Sequence, residues 1–266
     1  MYIPHLEVSQ VRNLKSLKTD CHPLANIIYG VNGSGKTSLL EAIYLLGRGR
    51  SFRHRDLRLV VNHQAEELVV SAKIEKGMPA KVHQMGVRRT SSGKFAARFD
   101  GKTLQSSVQL ASELPLQLID AHSFNLLEGG PSQRRQFLDW GVFHVEHSFL
   151  TAWRDSRKCL ANRNALLKAT RLDRPQLEAW DREFVVASVK VDAQRGAYLD
   201  RFLPVFKEVY AQLEGSHVDS LEIRYDRGWA EGAKLDAELV RTLEVDRRYG
   251  STQLGPQRAD ILLLLD

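Results

Sequence analysis

The sequence predicts an α/β fold: strands gathered around one helix, followed by a mainly helical second part. Three observations carry this expectation. A glycine-rich loop, Gly30-Val31-Asn32-Gly33-Ser34-Gly35-Lys36-Thr37, lies between a short apolar run and an amphipathic stretch. Short or alternating apolar runs dominate the first third, whereas positions 131 to about 213 carry a helical pattern with few breakers. The chain has 266 residues, 43% hydrophobic and 26% charged, enough for one large or two small domains with a true core.

The elements follow in order. Residues 3–11 alternate loosely, as a strand does. Asn26 to Tyr29 is a short apolar run closed by Gly30, the pattern of a buried strand. Leu39, Leu40, Ile43 and Leu46 recur at helical spacing until Gly47. Residues 68–75 and 81–89 read as strands, and Asp100-Gly101 is the dipeptide a two-residue hairpin turn favours. At Gly129-Gly130-Pro131 the character changes, since proline fits the first position of a helix. Phe137, Leu138, Trp140 and Phe143 then form an apolar stripe, and Pro175 and Pro204 punctuate the helical region. A strand over 220–225, a short helix over 235–244 and a Gly/Ser/Thr turn complete the chain.

Composition excludes a disordered tail, a fibrous repeat and a disulfide miniprotein. The longest apolar run, Ile261 to Leu265, falls far short of the roughly 20 residues that span a bilayer. The N-terminus lacks the basic and apolar regions of a secretion signal, and Cys21 and Cys159 stand too far apart for a metal or redox motif. A cytoplasmic location without membrane contact is expected. Net charge is +6, distributed as +6 over residues 1–130, +5 over 131–174 and −5 over 175–266. The dense positive charge of the middle segment suggests a polyanionic partner.

The loop fits G-x-x-x-x-G-K-[ST] in a strand–loop–helix context. A phosphate chain needs backbone N–H groups pointing into a tight loop, glycines that let it approach, and a helix N-terminus whose dipole favours negative charge. Lys36 is placed to reach the β- and γ-phosphates and the Thr37 hydroxyl to ligate Mg²⁺. Gly30, Val31, Asn32, Gly33, Ser34, Gly35, Lys36, Thr37 and Ser38 are therefore the candidate ATP-binding residues.

The residues around the loop, GVNGSGKTSLLEAIYLLGRGRSFR from Gly30 to Arg53, resemble the start of the RecF family, bacterial recombination-mediator ATPases of the ABC/SMC-like class. Arg12-Asn13-Leu14 resembles the family's R-N-L element. The block from Leu127 to Gly141 resembles G-G-P-x-x-R-R-x-F-L-D-W-G. Arg163-Asn164-Ala165 occupies the place of the family's K-Q-R-N-A block, with Ala161-Asn162 in place of Lys-Gln, and Gly255 to Asp260 resembles G-P-H-R-A-D with Gln257 in place of His.

The resemblance implies a P-loop NTPase head of ABC/SMC type. Residues 1–130 would form an ATP-binding lobe I, residues 131–218 an inserted helical lobe II, and residues 219–266 a return segment, with the C-terminal part of lobe I missing. It also implies an ATP-dependent homodimer that binds gapped DNA or single-strand/duplex junctions. Such a dimer would help RecO and RecR load recombinase, within DNA replication, repair and the SOS response. Neither the signature L-S-x-G-Q helix nor a Walker B strand with its catalytic Glu occurs here. Asp260 to Asp266 does not read as Walker B, because that strand must follow the signature helix. The expectation is thus an N-terminal part of a longer protein, with no catalytic residue assigned. The weak DNA-dependent ATPase activity of the family is expected of the full-length form, not of this chain. The competing readings are another SMC-, Rad50- or RecN-like head, an ABC transporter subunit, a small-molecule P-loop kinase, or an inactive fragment that only binds.

Candidate DNA contacts are Arg134, Arg135, Arg154, Arg157, Lys158 and Arg163, with Lys168 and Arg171 on the same helical stretch. Arg134 could instead pair with an acid such as Asp139. Arg48, Arg50, Arg53, Arg55 and Arg58 crowd the stretch after the P-loop helix, where Arg53 is expected to face nucleotide or serve structure. Gln117 and Asp120 fall where such heads place a loop near nucleotide. His122, His144 and His147 are scattered, and Trp140, Trp153 and Trp180 suit a core better than base stacking.

Overall fold

The computed structural model describes residues 1–214 and 221–265. Its first unit, Met1–Leu118, is built in order from β1 (Tyr2–Val11), β2 (Leu14–Asp20), α1 (Lys36–Arg48), β3 (Glu67–Lys76), β4 (Lys81–Thr90), β5 (Phe95–Phe99), β6 (Lys102–Thr103) and α2 (Ser107–Glu113). The strands form one antiparallel sheet in the order β2-β1-β3-β4-β5-β6. Alternation decides which face is buried. In β3 the apolar Leu68, Val70, Ala72 and Ile74 all point one way. Register extends that face sideways, as Val8 lies opposite Val70, Val70 opposite Val87, and Val87 opposite Ala97. Across it lies α1, which buries Ala42, Leu45 and Leu46. Each buried leucine or valine contributes about 1.5–3 kcal/mol, so this sheet–helix layer fixes where α1 begins, and with it the glycine-rich loop.

Asp100 and Gly101 both take positive φ, 47° and 78°, as the Asp-Gly hairpin requires. The strand expected over Asn26 to Tyr29 does not form. No described strand pairs with it, and Ile27 and Tyr29 are 88% and 90% exposed. An apolar run specifies a buried strand only where a ladder partner meets it.

The second unit, Ile119–Asp266, contains α3 (Asn125–Glu128), α4 (Pro131–Val145), α5 (Phe149–Leu167), α6 (Arg174–Glu214), β7 (Leu221–Asp226), α7 (Leu235–Arg241), α8 (Leu243–Tyr249) and β8 (Asp260–Leu265). Pro131 opens α4, as its fixed φ and missing N–H favour. Pro204 does not end α6, which runs through it. Leu138, Val142, Phe149, Ala152, Val191, Leu199 and Ile261 form one core, and Cys159, Phe184, Trp229, Leu235 and Leu239 another. Gly141 lets α4 and α6 touch, since a Cβ there would lie 2.3 Å from the Tyr198 hydroxyl.

The division between Leu118 and Ile119 comes earlier than the Pro131 boundary read from sequence. Residues from 221 onward group with the helices, and long-range pairs explain why. Arg134 binds Asp260, Arg195 donates to the Pro256 carbonyl, and Arg163 binds Asp246. β8 pairs antiparallel with β7, from Asp260 opposite Asp226 onward. Asp266 and Ser220 lie outside the described residues. No described helix is long and apolar enough to cross a membrane.

Candidate nucleotide-binding site

The glycine-rich loop is shaped by its own backbone. Gly30, Gly33 and Gly35 have φ of 148°, 82° and 101°. Gly35 is constrained twice over. It caps α1 in the left-handed region, and a Cβ on it would lie 2.5 Å from Leu14 Cδ2. No side chain caps α1 and no acid lies in its first turn, so its positive end is left for an anion. Lys36 reaches back over the loop, its Nζ donating to the carbonyls of Gly30 at 2.8 Å and Val31 at 2.9 Å.

Three residues outside the loop hold it, and sequence reasoning gave none of them a part in the site. Asn13 donates through Nδ2 to the Gly33 carbonyl at 2.7 Å and accepts from Ser38 Oγ at 2.8 Å, pinning both ends of the turn. Arg12 stands beside it with φ of 53°, a conformation that costs a non-glycine residue about 1–3 kcal/mol. Its guanidinium offsets this by a bidentate pair with Glu41, at 2.7 and 2.9 Å, and a bond to the Leu59 carbonyl at 2.9 Å. Glu41 is completely buried on α1, accepts from Ser51, and lies 3.8 Å from Arg53. Burial alone would raise the Glu41 pKa. Hydrogen bonds from Arg12 and Ser51, with the charges of Arg12 and Arg53, outweigh it and hold the carboxyl below its ordinary value.

Arg12, Asn13, Asn32, Gly33, Gly35, Lys36, Thr37, Ser38 and Arg53 line an open cleft of about 670 Å³. Its walls carry three cationic side chains and no carboxylate. Lys36, Thr37 and Arg53 thus line the same cleft. The lining suits a cation that would arrive with a phosphate chain, for which the Thr37 hydroxyl could serve as a protein ligand. Among the described residues no cluster of His, Cys, Asp or Glu could hold a metal alone.

The expected DNA contacts separate into two groups. Arg154, Arg157 and Lys158 are exposed on one side of α5, with Arg157 stacked 5.3 Å from the Trp153 ring centroid. Arg163 is corrected: it is 0% exposed. Its guanidinium donates to Asp181 at 2.6 Å and to Asp246 and Thr252 at 2.7 Å, so it cannot meet a polyanion. Arg134 is likewise committed. It pairs with Asp260 rather than Asp139, at 2.7 and 2.9 Å, and donates to the Gly129 carbonyl at 2.7 Å. Arg135 is half-buried and donates to the Ala259 carbonyl at 2.7 Å. Desolvation, then repulsion from Arg195, lowers its pKa. Asp139 instead holds Arg195, at 2.8 and 3.1 Å, and accepts from Trp153 Nε1. Asp120 caps the turn 121–124 by accepting from the His122 N–H, and Gln117 donates to the Leu118 carbonyl. Burial raises the pKa of both cysteine thiols, which disfavours the thiolate.

A glycine-rich loop on an α/β layer, braced from the preceding β-turn and joined to a helical unit, defines a P-loop head of ABC/SMC type. The RecF/RecN/SMC N-terminal domain model matches residues 2–218. The DNA replication and repair protein RecF of Azotobacter vinelandii (strain DJ) is 44% identical over all of this chain, which covers 72% of that protein. RecF of Pseudomonas entomophila (strain L48) is 43% identical, with 71% covered. The solved structure of the recombination mediator protein RecF-ATP in the RecFOR pathway superposes with a TM-score of 0.84 at 26% identity, covering 99% of this chain and 73% of that one. The chain belongs to the RecF family.

Proposed function

We propose that the chain is the nucleotide-binding part of a DNA replication and repair protein that binds ATP with Mg²⁺. One observation carries this reading: the braced loop offers Lys36, Thr37 and the uncapped α1 N-terminus to a single cleft. In it, the loop N–H groups would cradle the phosphates, Lys36 would neutralise the β- and γ-phosphates, and Thr37 would ligate Mg²⁺ alongside phosphate oxygens. The metal would supply charge neutralisation. Gly30 to Ser38 are the binding residues, and no general base is assigned. Arg53, which lines the cleft, would add a phosphate contact.

The wider role extends by kinship. ATP would drive homodimerisation of two heads on gapped DNA or single-strand/duplex junctions. With RecO and RecR, the dimer would support recombinase loading in the cytoplasm during the SOS response. Residues 1–118 would act as the ATP lobe and the helices from Pro131 as the second lobe. Arg154, Arg157 and Lys158 are the DNA-contact candidates that remain exposed on α5. Nucleotide binding is tested with Lys36→Ala. Titration with a fluorescent ATP analogue is expected to show a loss of at least about 10-fold, or 1.4 kcal/mol, and unchanged affinity would remove the P-loop assignment.

A further inference from the structure

We infer that Glu41 is a positioning residue that holds Arg53 at the rim of the cleft and so favours a nucleoside triphosphate over a diphosphate. The inference rests on the P-loop reading and deepens it.

Glu41 sits on the buried face of α1 with Ala42 and Leu45, where an unpaired carboxylate would be costly. It is fully paired. Two of its hydrogen bonds come from Arg12 on the β1–β2 turn, and another comes from Ser51 in the segment after α1. That segment is thereby tied down two residues before Arg53. Ser51 Oγ also accepts from the backbone N–H groups of Arg53 and His54, at 2.9 and 3.0 Å. Glu41 therefore acts on Arg53 twice, through its charge at 3.8 Å and through Ser51, which sets the backbone that carries it. Its single negative charge is taken up by the Arg12 guanidinium, whose hydrogen bonds go to Glu41 and the Leu59 carbonyl, so Arg53 keeps its positive charge for a ligand. A guanidinium already held in place loses little entropy on meeting phosphate oxygens and can match them in pairs. Its benefit grows with the charge of the ligand, which is where a triphosphate and a diphosphate differ.

The experiment titrates the full chain with fluorescent ATP and ADP analogues and records the melting temperature of each variant. Glu41→Gln keeps the shape and removes the charge. It is expected to weaken ATP by about 10-fold while changing ADP by less than about 3-fold, narrowing the ATP/ADP ratio. Glu41→Asp keeps the charge but withdraws it, and should narrow the ratio to an intermediate value; it carries the test if Glu41→Gln does not fold. Combining Glu41→Gln with Arg53→Ala should narrow the ratio no further than Arg53→Ala does. A parallel loss of both nucleotides that follows the melting temperature would overturn the inference, as would full additivity with Arg53→Ala. Lys36→Ala separates the two levels. If it abolishes binding of both analogues while Glu41→Gln leaves their ratio intact, only the role of Glu41 fails. If it leaves binding unchanged, the P-loop reading fails and takes the inference with it.

Discussion

Replacing Arg163 with alanine leaves two acids without their cation. Arg163 is completely enclosed and its partners, Asp181, Asp246 and the Thr252 hydroxyl, lie at 2.6–2.7 Å. Asp246 has no side-chain exposure of its own. Removing one member of a buried ion pair costs about 3–5 kcal/mol, because the remaining charge stays desolvated. The cost falls on the second unit alone, since Arg163 joins α5 to α6, to α8 and to the turn after it. The assay follows from composition: all four tryptophans, Trp140, Trp153, Trp180 and Trp229, lie in that unit. Denaturant unfolding followed by tryptophan emission therefore reads it selectively. With m of about 1–3 kcal/mol/M in urea, a loss of about 4 kcal/mol lowers the midpoint by more than about 1 M. Arg154→Ala on the exposed side of the same helix should shift stability by no more than about 0.5 kcal/mol. A loss below about 1 kcal/mol for Arg163→Ala would refute the buried-network assignment.

Three other outcomes are expected. Charge reversal at Arg154, Arg157 and Lys158 together should weaken DNA binding and reduce the slope of log affinity against log salt by up to about 0.9 for each phosphate no longer neutralised; an unchanged slope would remove this face from consideration. Gly35→Ala should abolish binding of a fluorescent ATP analogue, because a methyl group meets Leu14 and the φ of 101° is unfavourable; retained affinity would mean that the loop is shaped otherwise. For Asp260, burial raises the pKa but the hydrogen bonds from Arg134 and Ile261 and the arginine charges outweigh it, so the folded value lies below the ordinary carboxylate range. Its contribution is present at neutral pH and lost as pH falls through that depressed value. The stability gap between wild type and Asp260→Asn should accordingly shrink on acidification, and a gap constant from about pH 7 to about pH 3 would refute the coupling.

What the sequence discloses, and what it conceals, follows from the range of the interactions. Period-two alternation in 68–75 and 81–89 and the Asp-Gly turn are local signals, and the corresponding elements form there. The loop is legible because phosphate chemistry demands a fixed spacing. Asn26 to Tyr29 misleads because a strand is a pairing, and nothing local states whether a partner comes alongside. Arg163 had a readable signal. It falls in step with Phe149, Ala152, Ser156, Cys159 and Leu167, the buried stripe of α5, whereas Arg154, Arg157 and Lys158 fall between those positions. Position in the helical period outweighs charge type there. Glu41 offers the same clue, a lone acid on the face of Ala42 and Leu45, but its partners Arg12 and Ser51 come from either side of the helix and only folding joins them.

The two carbonyl bonds of Lys36 define the starting point against which any incoming phosphate is weighed. The ammonium already donates to Gly30 and Val31, so a ligand must win an exchange of acceptors. The number of hydrogen bonds hardly changes in that exchange; their character does, from neutral carbonyls to anionic oxygens that add an attraction between opposite charges. Affinity then depends on how much charge the newcomer brings, and neutral hydrogen-bonding compounds gain almost nothing by entering. On the proposed nucleotide-binding reading the lysine would act as a threshold, admitting anions that displace its own loop carbonyls and turning away ligands that could only match them.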